Sequence, residues 1–250
     1  MPYPKISIIT PTLNAEKNIR DCILSVAGQH YKNIEHIIID GGSTDGSLEI
    51  VRNLKEEYPF IRWVSEKDGG IYEGMNKGID IAQGDWIYFL GSDDAFYNDK
   101  VLEDVFVDRQ KTVANADFVY GNVLWGGTGK VYDGIFDMAK LYRRNICHQA
   151  IFVRKDLFKR TGRFNTDYRV LADWYFNALC FIDPQVRKTY IDLLIAKYSA
   201  AGLSSRKDDM FLKEIFRERN AFFNKIIKDF GIREQFRFKV EKLVAHLKGS

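Results

Sequence analysis

Tyr88-Phe89-Leu90-Gly91-Ser92-Asp93-Asp94 is an apolar run that opens into two adjacent carboxylates. Trp86 to Leu90 are β-forming residues, with Gly84-Asp85 before them and Gly91-Ser92 after, which predicts a buried strand ending in paired acids. In open α/β sheets the carboxyl ends of the strands are where ligands bind. Two ionised carboxylates side by side repel unless a cation lies between them or one takes up a proton. A hard divalent metal shared with a substrate phosphate would answer that charge. A solvated Asp-Asp turn is the plainer alternative, since Ser-Asp-Asp is ordinary turn composition.

The residues before this stretch repeat its pattern. Lys5 to Thr10 reads as a strand ended by Pro11-Thr12-Leu13-Asn14, with Asn14 placed to cap a helix carrying Ile19, Cys22, Ile23 and Val26. His36 to Asp40 is a second strand, followed by the turn Gly41 to Ser47 and a helix bearing Leu48, Val51 and Leu54. Phe60 to Ser65 is a third, and after Glu66-Lys67-Asp68-Gly69-Gly70 the residues Ile71, Met75, Gly78, Ile79 and Ala82 share one helical face. Strand and helix in alternation predict an α/β fold, a Rossmann-like and mostly parallel central sheet with helices on both faces. Beyond Asn98 the rhythm changes. Helix is expected over Val101 to Phe106 and Val170 to Phe181, and strand over Phe118 to Trp125, Lys130 to Tyr132, Ala150 to Val153 and Arg187 to Tyr198. A small-residue loop from Ser199 to Ser205 and two helices over 208–247, divided near Gly231, complete the reading. We divide the chain into a ligand-binding half (1–97), a second half of the same domain (98–205) and a C-terminal helical extension (206–250).

Composition limits the function classes. The 250 residues are 46% hydrophobic and 14% aromatic, enough for a substantial core, and the net charge of +3 does not point to nucleic acid. Charge is uneven, however: twelve Lys/Arg against seven Asp/Glu from Arg206 onward give +5, leaving −2 on residues 1–205. The tail carries Phe211, Ile215, Phe222, Phe223, Ile226, Ile227 and Phe230 beside Arg217, Arg219, Lys225 and Lys228. That pattern suits contact with a membrane surface, or packing onto the rest of the chain or a homodimer partner. Cys22, Cys147 and Cys180 match neither a zinc spacing nor a disulfide framework, so buried free thiols in a reducing compartment are expected. No signal peptide and no apolar span of about 18 residues is visible, so the expected location is cytoplasmic, peripheral at the inner face of the plasma membrane if the tail binds it.

Each predicted parallel strand ends in residues able to hold a ligand: Thr12 and Asn14, Asp40, Asp68, and Asp93 with Asp94. The Gly41 to Gly46 turn lacks the dinucleotide-binding glycine spacing and any Walker lysine. Asp40 beside it can accept hydrogen bonds from a base or ribose, although an Asx-turn closed by Asp45 or Ser43 would use the same residues. Asp68 followed by Gly69 and Gly70 allows close backbone approach.

Taken together, Ile8 to Asn14, Ile39 to Gly46, Asp68 to Tyr72 with Met75 to Gly78, and Leu90 to Asp94 resemble the inverting GT-A glycosyltransferases of family two. The resemblance spans about residues 5–205, with the motifs in family order. It implies a nucleoside-diphosphate sugar donor, UDP by default with GDP or dTDP as alternatives, held by Pro11, Thr12, Asn14, Asp40, Asp68, Gly70, Asn76 and Asp93. Asp93 and Asp94 match the metal-binding acidic motif and imply Mn2+ or Mg2+, while Gly91 stands where the family has its first acid. Leu171 to Trp174 falls where the family has an acidic pair or similar acid at a helix start; Ala172 stands where the family usually has an acid, so Asp173, in otherwise apolar sequence, is the expected general base, and Asp167 is the fallback. His148 and Trp174 are candidates for contact with the diphosphate or acceptor, and Trp125 and Tyr132 for stacking on a sugar ring. The acceptor implied is a glycan or a polyprenyl-diphosphate-linked hydroxyl in bacterial surface-polysaccharide assembly, with the loop around Gly202 closing over the site. The alternatives are a sugar-nucleotide nucleotidyltransferase, against which Pro11 to Glu16 offers no glycine-rich basic loop, and a non-catalytic nucleotide-binding or membrane-peripheral protein.

Overall fold

Alternation along the first strand, β1 (Ile6–Thr12), sorts the protein into two layers about one sheet. Ile6 and Ile8 face a cluster with Cys22 and Val26, while Ile9 faces the opposite cluster with Met75 and Ile79. A computed structural model describes residues 3–132, 134–199 and 209–229. The strands that follow are β2 (Ile34–Asp40), β3 (Ile61–Ser65), β4 (Trp86–Phe89), β5 (Ala95–Phe96), β6 (Phe118–Trp125), β7 (Lys130–Tyr132), β8 (Ile151–Arg154) and β9 (Lys188–Tyr198). The sheet order is β3-β2-β1-β4-β8-β6-β9-β5, with β7 paired to β6.

The sheet is mixed. β1 to β4 are parallel, as the alternating sequence predicts. β8 then runs antiparallel between β4 and β6, and β5 and β7 also pair antiparallel. β6 and β9 are parallel to each other and, through the two reversals at β8, to β4. This topology brings the carboxyl ends of β1, β2, β3, β4, β6 and β9 and the amino end of β8 to one edge. Residues from both halves of the chain therefore meet there.

Helix α1 (Ile19–Ala27) packs on one face, and α2 (Ser47–Glu57) joins it over Ile38 and Ile61. Short α4 (Val101–Glu103), a π-helical turn over Asp104–Asp108 and α5 (Gln110–Val113) occupy the expected 101–106 helix region. The opposite face holds α3 (Ile71–Ile81), α6 (Met138–Arg143), α7 (Lys155–Thr161), α8 (Ala172–Ile182) and α9 (Asp209–Asp229). α1 begins five residues after Asn14, so Asn14 is not its cap.

The tail helix α9 is part of this layer. Phe222, Phe223 and Ile226 are buried, with Phe222 against Trp174 and Tyr175 and Phe223 against Tyr142. Each such side chain contributes roughly 1.5–3 kcal/mol of burial. Of the three surfaces expected for the tail's apolar residues, Phe222, Phe223 and Ile226 take the chain's own core, while Phe216 stays exposed. The second tail helix expected after Gly231 and the loop around Gly202 lie outside the described residues. Among the described residues no helix is long and apolar enough to cross a membrane.

Candidate active site

At the carboxyl edge of β1 to β3 the polar residues bind one another. Asp40 is fully buried, and its carboxylate accepts from the backbone N–H of Gly42 (3.1 Å) and Ser43 (3.0 Å) and from the Ser65 hydroxyl (2.7 Å). Asn14, at φ +50°, accepts from Thr44 N–H (2.9 Å) and donates its own N–H to Ser43 Oγ (2.8 Å). Asp45 accepts from the backbone N–H of Ser47 and Glu16. These bonds tie the loop after β1 to the loop after β2. Pro11 and Thr12 are buried between them, with the Thr12 hydroxyl turned back to Thr10 O (3.4 Å). Asp68 accepts from Gly70 N–H (3.1 Å), and burial raises its carboxyl above the ordinary range. Gly70, at φ +138°, turns the chain into α3, a conformation open to glycine. Asn76 uses both ends of its amide to hold the backbone of Phe164, at 2.9 and 3.1 Å.

Beside this group lies a cavity of about 270 Å³. One wall holds Asp93, Asp94, His148 and Gln149; another holds Tyr72, Asn145, Arg169 and Asp173; Val123, Trp125, Tyr132, Ile146 and Tyr198 form the apolar remainder. None of Pro11, Thr12, Asn14, Asp40, Asp68, Gly70 and Asn76 lines it. The strand-end residues therefore fall into two adjoining groups, joined where Asp68 to Gly70 leads into Ile71 and Tyr72.

Asp94 is 3% exposed and accepts from the Gln149 side-chain amide and from Ser199 N–H (2.7 Å). Burial, with Asp93 adding to it, pushes its carboxyl up to about 6. Gln149 is held in turn by Cys147, whose thiol donates to Gln149 Oε1 (2.7 Å). Burial, together with the Asp94 and Asp173 charges, drives that thiol far above its usual range, so it is inert. The structure also accounts for Gly91. A Cβ there would stand 2.4 Å from Asp94 Oδ2 and 3.1 Å from Asp93 Oδ1, so the space for a side chain is already taken by the two acids that follow.

Asp173, in the first turn of α8, is 8% exposed and held from three directions. Oδ1 accepts from Tyr72 OH (2.8 Å) and from Trp174 N–H (2.8 Å); Oδ2 accepts from Asn145 Nδ2 (2.9 Å), with His148 Nδ1 at 3.6 Å. Tyr72 OH also lies 2.7 Å from Val170 O. Burial and the Asp173 charge raise the Tyr72 phenol well above its ordinary value, so it stays a neutral donor. Arg163, ten residues before Asp173, pairs with Asp80. Asp167, the fallback acid, is exposed and does not line the cavity. Trp174 is 6% exposed, donates its indole N–H to Leu141 O (2.7 Å) and packs on Phe222, so the structure places it in the core and not on the cavity wall. Trp125, 38% exposed, does face the cavity, edge-to-face with Tyr132 and Tyr198 on the neighbouring strands.

A family model described as glycosyl transferase family 2 matches residues 7–166. The chain belongs to that family. It is 40% identical over 224 residues to a PGL/p-HBAD biosynthesis glycosyltransferase of Mycobacterium bovis, covering 86% of this chain and 85% of that one. Its fold is similar to S. aureus TarS 1-349 in complex with UDP-GlcNAc, with a TM-score of 0.66, 20% identity and coverage of 82% of this chain and 62% of that one. It is also similar to the mannosyltransferase PcManGT from Pyrobaculum calidifontis in complex with GDP-Man and Mn2+, with a TM-score of 0.65, 17% identity and coverage of 91% and 65%. The chain thus spans less than two thirds of either solved protein.

As a family 2 glycosyltransferase the chain is expected to meet a divalent ion, and its donor set bears on that. Among the described residues no group of three or more His, Cys, Asp or Glu side chains could hold a metal alone. Asp93 and Asp94 do offer adjacent carboxylates, and burial, with the Asp93 charge adding to it, raises the proton affinity of Asp94. Two such oxygen donors fit an ion that completes its shell from a diphosphate and water. The sequence reading gave no role to Tyr72, Asn145 or Glu218. Tyr72 ends the quoted Asp68 to Tyr72 stretch, whereas Asn145, after Arg144, and Glu218, between Arg217 and Arg219, carry no local mark of a buried role.

Proposed function

We propose that this glycosyltransferase moves a sugar from a nucleoside-diphosphate sugar to an acceptor hydroxyl with inversion, in the assembly of a cell-surface glycan. The observation that carries this reading is a buried, three-way-anchored carboxylate, Asp173, on the same small cavity as the Asp93-Asp94 pair. The donor lies with its nucleoside toward the Pro11, Asn14, Asp40 and Asp68 group and its diphosphate toward Asp93 and Asp94. Asp40 and Asn14 act chiefly by shaping the loops that receive the nucleoside, since their polar atoms are already engaged within the protein. Mn2+ or Mg2+ held by Asp93 and Asp94 would offset charge on the departing diphosphate.

Asp173 takes the proton from the acceptor hydroxyl as that oxygen forms its bond to the anomeric carbon; the bond from that carbon to the diphosphate oxygen breaks on the opposite side. Tyr72, Asn145 and the Trp174 N–H fix the carboxylate's direction, leaving a lone pair of Oδ2 for the incoming hydroxyl. His148, close to both Asp173 and Asp94, lies where the new and old bonds to the sugar would meet. The aromatic wall of Trp125, Tyr132 and Tyr198 favours an acceptor with an apolar face, such as the CH face of a sugar ring or a lipid-linked glycoside. UDP and GDP sugars are both supported by the solved neighbours.

A thermal-shift panel of UDP, GDP, dTDP and CMP beside the triphosphates UTP, GTP and dTTP, with Mn2+, Mg2+ or EDTA, tests the donor class. A ligand that binds only the folded chain stabilises it by about 2.7 kcal/mol at a hundredfold excess over its Kd. For a chain of this length that is a rise of several degrees in Tm. One nucleoside diphosphate should stand out, and chiefly with metal. A response to triphosphates alone would favour a nucleotidyltransferase, and no response to any nucleotide would contradict the proposal.

A further inference from the structure

The start of α8 is capped from outside the helix. Leu171 stands at its N-cap and offers no side-chain acceptor. Instead Glu218, on α9 and 4% exposed, takes up the preceding backbone donors. Its Oε1 accepts from Arg169 N–H (2.9 Å), and its Oε2 from Val170 N–H (3.2 Å) and Leu171 N–H (3.0 Å). None of the ion pairs among the described residues involves Glu218, so its charge is answered by those N–H groups and by the positive end of the helix. The residues it holds are functional neighbours. Arg169 and Val170 line the cavity, Val170 O faces Tyr72 OH, and Asp173 follows two residues after Leu171.

We propose that Glu218 is a positioning residue for the catalytic base: its carboxylate fixes the turn from Arg169 to Leu171 and, with it, the place of Asp173 at the start of α8. This rests on the reading of Asp173 as the base. Without that carboxylate three backbone N–H groups lose their acceptor, and the turn that sets Asp173 against Tyr72 and Asn145 is free to shift.

Glu218→Gln keeps the size and one acceptor oxygen but removes the charge. Activity is followed as nucleoside diphosphate released from a panel of UDP- and GDP-hexoses, with p-nitrophenyl glycosides as acceptors. The expected result is a kcat lowered roughly tenfold, with the donor KM and the donor thermal shift equal to those of the unaltered chain. Phe222→Leu loosens the same helix without touching the cap, and should lower Tm with kcat nearly unchanged. If Glu218→Gln does not fold, Glu218→Asp serves: it keeps both acceptor oxygens on a shorter side chain, and the inference requires a lower kcat with donor binding unchanged. An unchanged kcat in the folded variant, or a fall in kcat that Phe222→Leu reproduces at equal loss of Tm, would overturn the proposal. Asp173→Asn separates this failure from that of the parent reading. If it stays active the base assignment is wrong, whereas an inactive Asp173→Asn with an unchanged kcat in Glu218→Gln removes only the role of Glu218.

Discussion

Asp173→Asn lowers kcat by about 10²–10⁴-fold while the chain still binds its nucleotide with unchanged affinity, because only the proton acceptor is lost. The separation follows from the two-part edge. The nucleoside side is organised by Asp40, Asn14 and Asp45 through bonds that do not reach α8. Asp173 is held instead by Tyr72, Asn145 and its own helix. An asparagine fits the same space and can still accept from Tyr72 and from Trp174 N–H. Its amide would face the Asn145 amide, whose oxygen is already engaged by Asn177 at 2.9 Å. A modest fall in Tm is therefore expected beside the large fall in rate. Turnover is measured at saturating donor, and binding by the nucleotide thermal shift. Retention of most turnover with donor bound would remove Asp173 from the mechanism.

Asp94→Asn should have opposite effects on stability and on activity. In the metal-free chain Asp94 holds its proton up to about pH 6, whereas an unfolded aspartate releases it near pH 3.9. The folded state binds the proton more tightly, so the contribution of this group to stability falls as pH rises through that window. Above about pH 6 the buried charge costs roughly 3 kcal/mol, and below about pH 4 it costs nothing. Asparagine removes the charge, and Gln149 can turn its amide to present Oε1. In EDTA at pH 7.5 the variant should unfold several degrees higher than the parent, the difference vanishing near pH 4. Addition of nucleoside diphosphate with Mn2+ should reverse the order, since only the parent keeps both carboxylates of the pair. Activity should fall by roughly 10²-fold or more, as loss of several kcal/mol of charge stabilisation at the leaving group requires. Melting curves at two pH values with and without metal and nucleotide provide the check; equal Tm values in EDTA, or an equal nucleotide shift, would contradict the account.

The parallel half of the fold was legible because each of β1 to β4 is a short run rich in β-branched or aromatic residues and closed by a turn, and α1 to α3 carry one-sided apolar spacing. β5, α6 and α7 were not, being two to seven residues long and fixed by tertiary contacts that local pattern does not encode. The mixed character of the sheet comes from the reversals at β8, and a four-residue apolar strand carries no mark of its direction. At the site, residue type and strand position led to Asp94 and Asp173, but direction was hidden. Asp40 and Asn76 have suitable chemistry, yet their polar atoms turn inward to Ser65 and Phe164. Trp174 and Trp125 are both tryptophans near functional acids, and only packing separates the core residue from the cavity wall. The Glu218 cap joins positions 47 to 49 residues apart, beyond the reach of any helix-start signal in the sequence.

The anomeric configuration of the transferred sugar, read by proton NMR from product made with an α-linked nucleotide sugar, tests the mechanism most directly. Attack by an acceptor hydroxyl deprotonated at Asp173, opposite a diphosphate held at Asp93 and Asp94, predicts a β-linked product from the first turnover onward. An α-linked product would mean retention, and would contradict single displacement across this cavity.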